Sequence, residues 1–308
     1  MSDPCAKVGF YMLLSEAVRM LDCPCVVVSD GEFDVLEQCT KVRAPKALTY
    51  LEKSSFASYL ENENISSVIC FPEMREMLPP HIQGIVTTEY PKYLFFMIHQ
   101  LIVSKIEKHA TEIDSTARVS PQAYIAPYGV RIGKNVEIEP GVIVCESTVI
   151  EDGARICCGT VIGGQGFVSM TYGGRVFLVR DGGGVLISNG VEICSNCNIA
   201  RGTLQLDTTT LGEDTKLSGM VHIGHGTVTG EQVQFSAGVK VAGNCVIGNH
   251  VWFGINSTVS NRIRIGDNAR VSLGAVVTRD VPAGETVSGN FAINHLRFLR
   301  NLKNSIKE

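Results

Sequence analysis

The chain has 308 residues, enough for a substantial core in one large or two ordinary domains. Its 44% hydrophobic and 19% charged residues read as globular and soluble, and a net charge of −4 argues against a nucleic-acid partner. Eleven cysteines are an odd number, and the opening MSDPCAKVGF lacks a signal-peptide pattern, so free thiols and a cytoplasmic location are expected.

Residues 1–110 mix helical stretches, LLSEAVRML (13–21) and PKYLFFMIHQLIVSKIEKHA (91–110), with β-type runs, CVVVSD (25–30), ISSVICF (65–71) and IVTTE (85–89). They predict an N-terminal α/β domain, with Pro91 in the first turn of the second helix. The apolar YLFFMIHQLIV (93–103) is shorter than the roughly 20 residues of a membrane span and contains His99 and Gln100. No membrane span is expected.

From residue 111 to 288 a period of six takes over. Stepping from Leu211 gives Leu217, Ile223, Thr229, Phe235, Val241, Ile247, Phe253, Val259, Ile265, Val271 and Val277, all apolar but Thr229. The residue after each is small: Gly212, Ser218, Gly224, Gly230, Ser236, Ala242 and onward. The same rhythm runs upstream through Ile113, Val119 and Ile125, then Ile132 to Ile162, and returns at Ile187, Ile193 and Ile199. Hexapeptide repeats of this kind mark a parallel β-helix. Each hexapeptide is a short strand with an inward apolar slot, the small residue turns the corner, and three make one triangular coil. A glycine-rich excursion, GGQGFVSMTYGGRVFLVRDGGG (163–184), interrupts the helix, and a long loop in a regular solenoid points to function. Residues 289–308 end in a short helix, with Leu296, Leu299, Leu302 and Ile306 as an apolar stripe among Arg297, Arg300, Lys303 and Lys307.

Two histidines stand three apart in the run VHIGHGTVTG (221–230). His222 precedes the slot Ile223 by one residue and His225 follows it by two, so neither is placed in the core. Residues of strand-like chain at this spacing turn to different faces, which argues against a His-based metal site. Cys194 and Cys197 form a lone CxxC with no second pair to complete a zinc site. No metal or bound cofactor is expected.

Several segments together resemble one family. These are ALTYLEKSSFASYLENENISSVICFPE (47–73), GTVIGGQGF, GGGVLISNGVEICSNCNIARGTL (182–204), VHIGHGTVTGEQVQFSAGVKVAGN (221–244) and VSGNFAINH (287–295). They resemble the UDP-3-O-(3-hydroxyacyl)glucosamine N-acyltransferases of lipid A and lipopolysaccharide biosynthesis, within the left-handed β-helix acyltransferases. The resemblance implies a mainly β fold, a left-handed parallel β-helix with an N-terminal α/β domain and a short C-terminal helix. It also implies a uridine-binding role for 1–110, a catalytic role for 111–288 and a homotrimer with sites between subunits. The expected reaction moves an acyl group from an acyl carrier protein or acyl-CoA thioester to the amine of a UDP-amino sugar. The alternatives are a short-acyl-CoA N-acyltransferase of a nucleotide amino sugar for surface glycans and a non-catalytic trimeric binding module.

By the same resemblance His225 falls on the general base, a role imidazole suits near neutral pH. Gly243 falls on a backbone oxyanion donor. The family's orienting Asp, seven residues before the base, is Ser218 here; Asp207, three hexapeptides before His225, is a candidate substitute if the repeat holds register. The irregular slot at Gln205 bears on that condition. A second family His appears as Arg262, and His222 either contacts the sugar or faces solvent. The family's uracil-stacking aromatics match Tyr50 and Phe56, with Lys53 in place of the uracil-contacting Asn.

Overall fold

A computed structural model describes residues 11–105, 108–289 and 292–305. From Glu112 to Val287 short parallel strands stack into three sheets of 8, 8 and 9 strands, the walls of a triangular parallel β-helix. Ile223 pairs with Val241, Val241 with Val259 and Val259 with Val277, so each lap is three hexapeptides long. Each slot from Leu211 to Val277 is at most 6% exposed, and the slots form one continuous aliphatic column. Phe235 and Phe253 stack in it at 4.7 Å and 5°. The polar slot, Thr229, is buried with its hydroxyl accepting from Gly212 N–H (2.9 Å), so its polarity is satisfied. At the first lap the column opens: Ile113 is exposed, while Val119 and Ile125 are half-buried, because no lap lies beneath them.

The corners work differently from the sequence expectation. The left-handed residue comes three after each slot: Asp214, Met220, Gly226, Gln232, Gly238, Asn244, His250, Asn256, Arg262 and Asn268 all have φ between 55° and 71°. Most are not glycine, so the fold accepts strain of about 1–2 kcal/mol at such positions. The small residue one after the slot is small because laps touch there. A Cβ on Gly224 would sit 2.6 Å from Ala242 C and Gly243 N. The CxxC sulfurs also part: Cys197 is in the aliphatic column and Cys194 is exposed.

Among the described residues the N-terminal part is built on a five-stranded sheet, with two α-helices, α1 (Leu14–Arg19) and α2 (Pro91–Val103). Its strands are β1 (Val26–Ser29), β2 (Val35–Leu36), β3 (Ala47–Leu51), β4 (Ile65–Cys70) and β5 (Gly84–Thr87), in the order β1-β5-β4-β3-β2. Only the β1–β5 edge is antiparallel. The helix expected to reach residue 110 stops at Ser104, whose hydroxyl donates to Leu101 O (2.7 Å) and competes with the helical ladder. The excursion forms a hairpin, β6 (Ser169–Tyr172) and β7 (Arg175–Leu178), turned by Gly173 and Gly174 at φ 55° and 74°. It leans on α2: Tyr172 stacks on Tyr93 at 3.9 Å and 7°, and Met170, Val179 and Leu204 join the apolar cluster under β3–β5. A C-terminal helix, α3, spans His295–Ser305 with Leu296, Phe298 and Leu299 exposed. Ile306 and Lys307 of the expected stripe lie outside the described residues. Among the described residues no helix is long and apolar enough to cross a membrane.

Candidate active site

One corner of the β-helix carries the histidines. His222 and Ile223 pair with Lys240 and Val241, and these with Thr258 and Val259, so residues 225, 243 and 261 lie one above another. Backbone bonds tie the column: Asn244 N–H donates to His225 O (2.7 Å) and Arg262 N–H to Gly243 O (3.0 Å). The His225 ring lies against Gly243. A Cβ added there would sit 2.5 Å from Nε2 and 2.7 Å from Cε1, so only glycine leaves room for the ring. Among the described residues nothing accepts a hydrogen bond from Gly243 N–H.

A cleft of about 730 Å³ opens at this corner between the β-helix, the hairpin and the N-terminal sheet. It brings together His222, His225, Gly243, Arg262 and Tyr50. Tyr50, on β3, is backed by Phe95 and Phe96 at 4.9 and 6.2 Å, and burial pushes its phenol up to about 12, so it stays protonated. Arg262 reaches Gln38 Oε1 (3.4 Å), and Lys41 Nζ donates to Asn244 Oδ1 (2.5 Å). Neither cation makes an ion pair among the described residues. Burial lowers the Lys41 pKa from that of a free lysine.

The His225 pKa lies below the usual imidazole value, chiefly through burial, with Lys41, Arg262 and His222 adding repulsion and Asp207 pulling the other way. Its ring is therefore neutral at pH 7, with an unprotonated nitrogen to offer. Burial and then Lys240 lower the His222 pKa as well. No group of three or more potential metal ligands exists among the described residues.

Four expected residues stand elsewhere. Ser218 follows a strand of the nine-stranded sheet and lines a separate hollow with Glu192, Lys216 and Trp252. One hexapeptide step is one face of the prism, so seven residues back from His225 lands on the preceding corner. Asp207 makes no hydrogen bond to His225; its carboxylate accepts from Leu204 N–H (3.2 Å) and acts on the imidazole only as a nearby charge. Ile199 pairs with Ile223, so this lap is one hexapeptide longer than the regular ones, and a step of three hexapeptides misses the register. Lys53 is exposed, and Phe56 packs into an apolar cluster beside Tyr59 (6.2 Å); neither lines the cleft. Both follow the end of β3, where the chain turns into a 3-10 helix at Ser54–Glu61.

The residue that touches the ring is Thr203, 2% exposed, whose Oγ1 lies 3.1 Å from His225 Nδ1. Beside it is Asp181, 4% exposed, on the segment leaving the hairpin. Burial pushes its carboxyl up to about 6, against the hydrogen bond from Gly166 N–H and the nearby Thr203 hydroxyl. Sequence reasoning assigned neither residue a role. The available signal was slight: Asp181 is the one carboxylate of the glycine-rich excursion, and Thr203 stands two residues before the irregular slot at Gln205.

No family model matches the chain. Sequence similarity to curated proteins is specific. The UDP-3-O-acylglucosamine N-acyltransferase of Methylobacillus flagellatus is 28% identical over 213 residues, 59% of this chain and 58% of that protein. That of Leptothrix cholodnii is 31% identical over 216 residues, 58% of this chain and 60% of that protein. The chain thus spans about three-fifths of the length of these relatives. Among solved structures, the UDP-N-acetylglucosamine acyltransferases of Francisella novicida and Campylobacter jejuni superpose with a TM-score of 0.50 each, at 24% and 20% identity. Each covers 62% of this chain, and the chain covers 71% and 76% of them. In sequence the chain is a relative of the UDP-3-O-acylglucosamine N-acyltransferases, and in fold it is a left-handed parallel β-helix with an N-terminal α/β part and a short C-terminal helix.

Proposed function

We propose that the cleft is the active site of an N-acyltransferase that moves an acyl group from a thioester to the amine of a UDP-glucosamine derivative, the reaction type named for the relatives. One observation carries this reading: a neutral, half-buried imidazole lies against a glycine whose N–H is unclaimed among the described residues, in a cleft lined on one side by Arg262. The amine nitrogen attacks the thioester carbonyl carbon, and the C–N bond forms as the carbonyl becomes an oxyanion. Gly243 N–H donates to that oxygen. His225 Nε2 takes the proton from the amine. Collapse breaks the C–S bond, and the imidazolium returns the proton to the leaving thiolate. Arg262, with Lys41 behind Asn244, supplies positive charge for the diphosphate, and Tyr50 offers a ring face to the base. In this reading the enzyme works in the cytoplasm beside its thioester donor, as a homotrimer whose neighbouring subunits complete the cleft.

A thiol-release assay tests this with 3-hydroxyacyl carrier protein and acetyl-CoA as donors, over a panel of UDP- and dTDP-amino sugars. Turnover with a UDP-amino sugar is expected, and the donor accepted decides between the carrier-protein and CoA forms. Binding of the nucleotide sugar without release of thiol from any donor overturns the enzymatic reading in favour of a binding module.

A further inference from the structure

We propose that Thr203 and Asp181 act with His225 as a positioning relay, in which Nδ1–H donates to Thr203 Oγ1 and the Thr203 hydroxyl donates to the Asp181 carboxylate. This deepens the acyl-transfer reading of the same cleft and rests on it. The backbone sets up the contact. Gly182 N–H donates to Thr203 O (2.8 Å) and Gly183 N–H to Gly202 O (3.0 Å), so the segment carrying Asp181 is zipped alongside the one carrying Thr203. Asp181 Oδ2 is taken by Gly166 N–H (2.5 Å) and Gln165 Nε2 (2.8 Å). Its Oδ1 is buried and has no hydrogen-bond partner among the described residues, and a buried carboxylate oxygen without a donor is costly. The Thr203 hydroxyl stands close to this carboxylate, and a small shift of either side chain brings its proton to Oδ1. With that proton committed, Oγ1 accepts from Nδ1–H, which fixes the tautomer that leaves Nε2 free.

Gly166 closes the gap between the two ends of the relay. A methyl placed on it would sit 2.9 Å from Asp181 Oδ2 and 2.9 Å from His225 Cβ. From behind, α2 holds the same segment. His99 is buried and kept neutral, its pKa pushed down to about 4 by burial, and its Nε2–H donates to Arg180 O (3.0 Å). When His225 takes the amine proton, the imidazolium charge is met through Thr203 by an ionised Asp181, and no proton has to reach the carboxylate. The relay thus supplies from the excursion what Ser218, on another corner, does not.

The test follows the His225 titration by NMR on 15N-histidine-labelled protein, together with pH–rate profiles, in Asp181→Asn, Thr203→Val, the double variant and Thr203→Ser. Asp207, Lys41, Arg262 and His222, the other charged or titratable groups acting on His225, stay in place throughout. Asp181→Asn should move the His225 midpoint to lower pH and lower kcat roughly 10- to 100-fold, less than loss of the base itself. KM for the sugar nucleotide should stay within about twofold. Thr203→Val should do the same, the double variant should be no worse than either, and Thr203→Ser should restore both readouts. An unmoved midpoint in Asp181→Asn, or losses that multiply in the double variant, overturns the relay. The titration needs no turnover. If no thioester is consumed by the unmodified protein yet the midpoint shifts as stated, the acyl-transfer reading fails and the relay stands.

Discussion

Beyond His225 the solenoid repeats every three hexapeptides, and the pairs Ile223–Val241 and Val241–Val259 set one corner residue on the next. Before it, the lap from Ile199 to Ile223 holds an extra hexapeptide's length of chain, and the lap from Ile162 to Ile199 carries the hairpin as well. The regular laps fix distance: they bring Gly243 against the imidazole and Arg262 one lap further on. The irregular laps fix chemistry, because chain that leaves the coil path is free to approach the ring from the side. Thr203, which meets His225 Nδ1, and Asp181 come from there.

The largest effect expected of this contrast is at the ring. His225→Ala should lower turnover about 10²–10⁴-fold with the melting temperature unchanged; retained activity in a steady-state assay would remove the base assignment. Gly243→Ala comes next. Its methyl would displace the imidazole, so kcat should fall on the order of 10²-fold or more while KM for the donor changes little. In the regular column, Phe253→Ala should cost about 3–5 kcal/mol by denaturant unfolding, because Phe235 loses its stacking partner as well as buried area.

A smaller effect concerns pH. Activity needs His225 neutral and the proposed relay needs Asp181 ionised, so the rate should fall as pH drops through about 6, where the Asp181 carboxyl titrates. Stability moves the other way. The folded-state pKa of this acid lies above its unfolded value, so ionisation disfavours the fold at neutral pH, and the penalty lifts as pH falls through that range. Asp181→Asn should therefore raise stability at pH 7 by on the order of 1–3 kcal/mol while lowering kcat, a trade measurable by melting curves and rates on one sample. The smallest effect is at Lys53, exposed and outside the cleft: Lys53→Ala should leave turnover and KM within about twofold.

The β-helix was legible because period six survives substitution. Even Thr229 kept its slot, since its hydroxyl found Gly212 N–H. The corner holding His225 and Gly243 followed from counting along regular laps. Counting failed one lap earlier, where Gln205 occupies a slot by number but lies in a loop, and where Leu204 packs into the N-terminal cluster instead of the column. Asp207 therefore turned to the Leu204 amide, and Thr203 took the place beside the ring. The pairing of Tyr50 with Phe56 failed for a local reason: β3 ends at Leu51, and the following 3-10 helix carries Phe56 to a different core. The strands Val35–Leu36 and Ala47–Leu51 were not among the expected runs, since neither shows enough alternation in so short a span.

The stacking of Tyr172 on Tyr93 has a consequence for modularity. A solenoid with a separate cap invites the view that one cap can be exchanged for another to change the nucleotide recognised. Here the hairpin is rooted in the solenoid but seated on α2, so a chimaera joined near residue 110 would leave the hairpin without its seat. On the acyl-transfer reading proposed above, a cap transplanted alone would also disturb the segment that carries Asp181 beside His225. Grafting the hairpin and the loop 201–207 together with the cap is the exchange that keeps the proposed site whole.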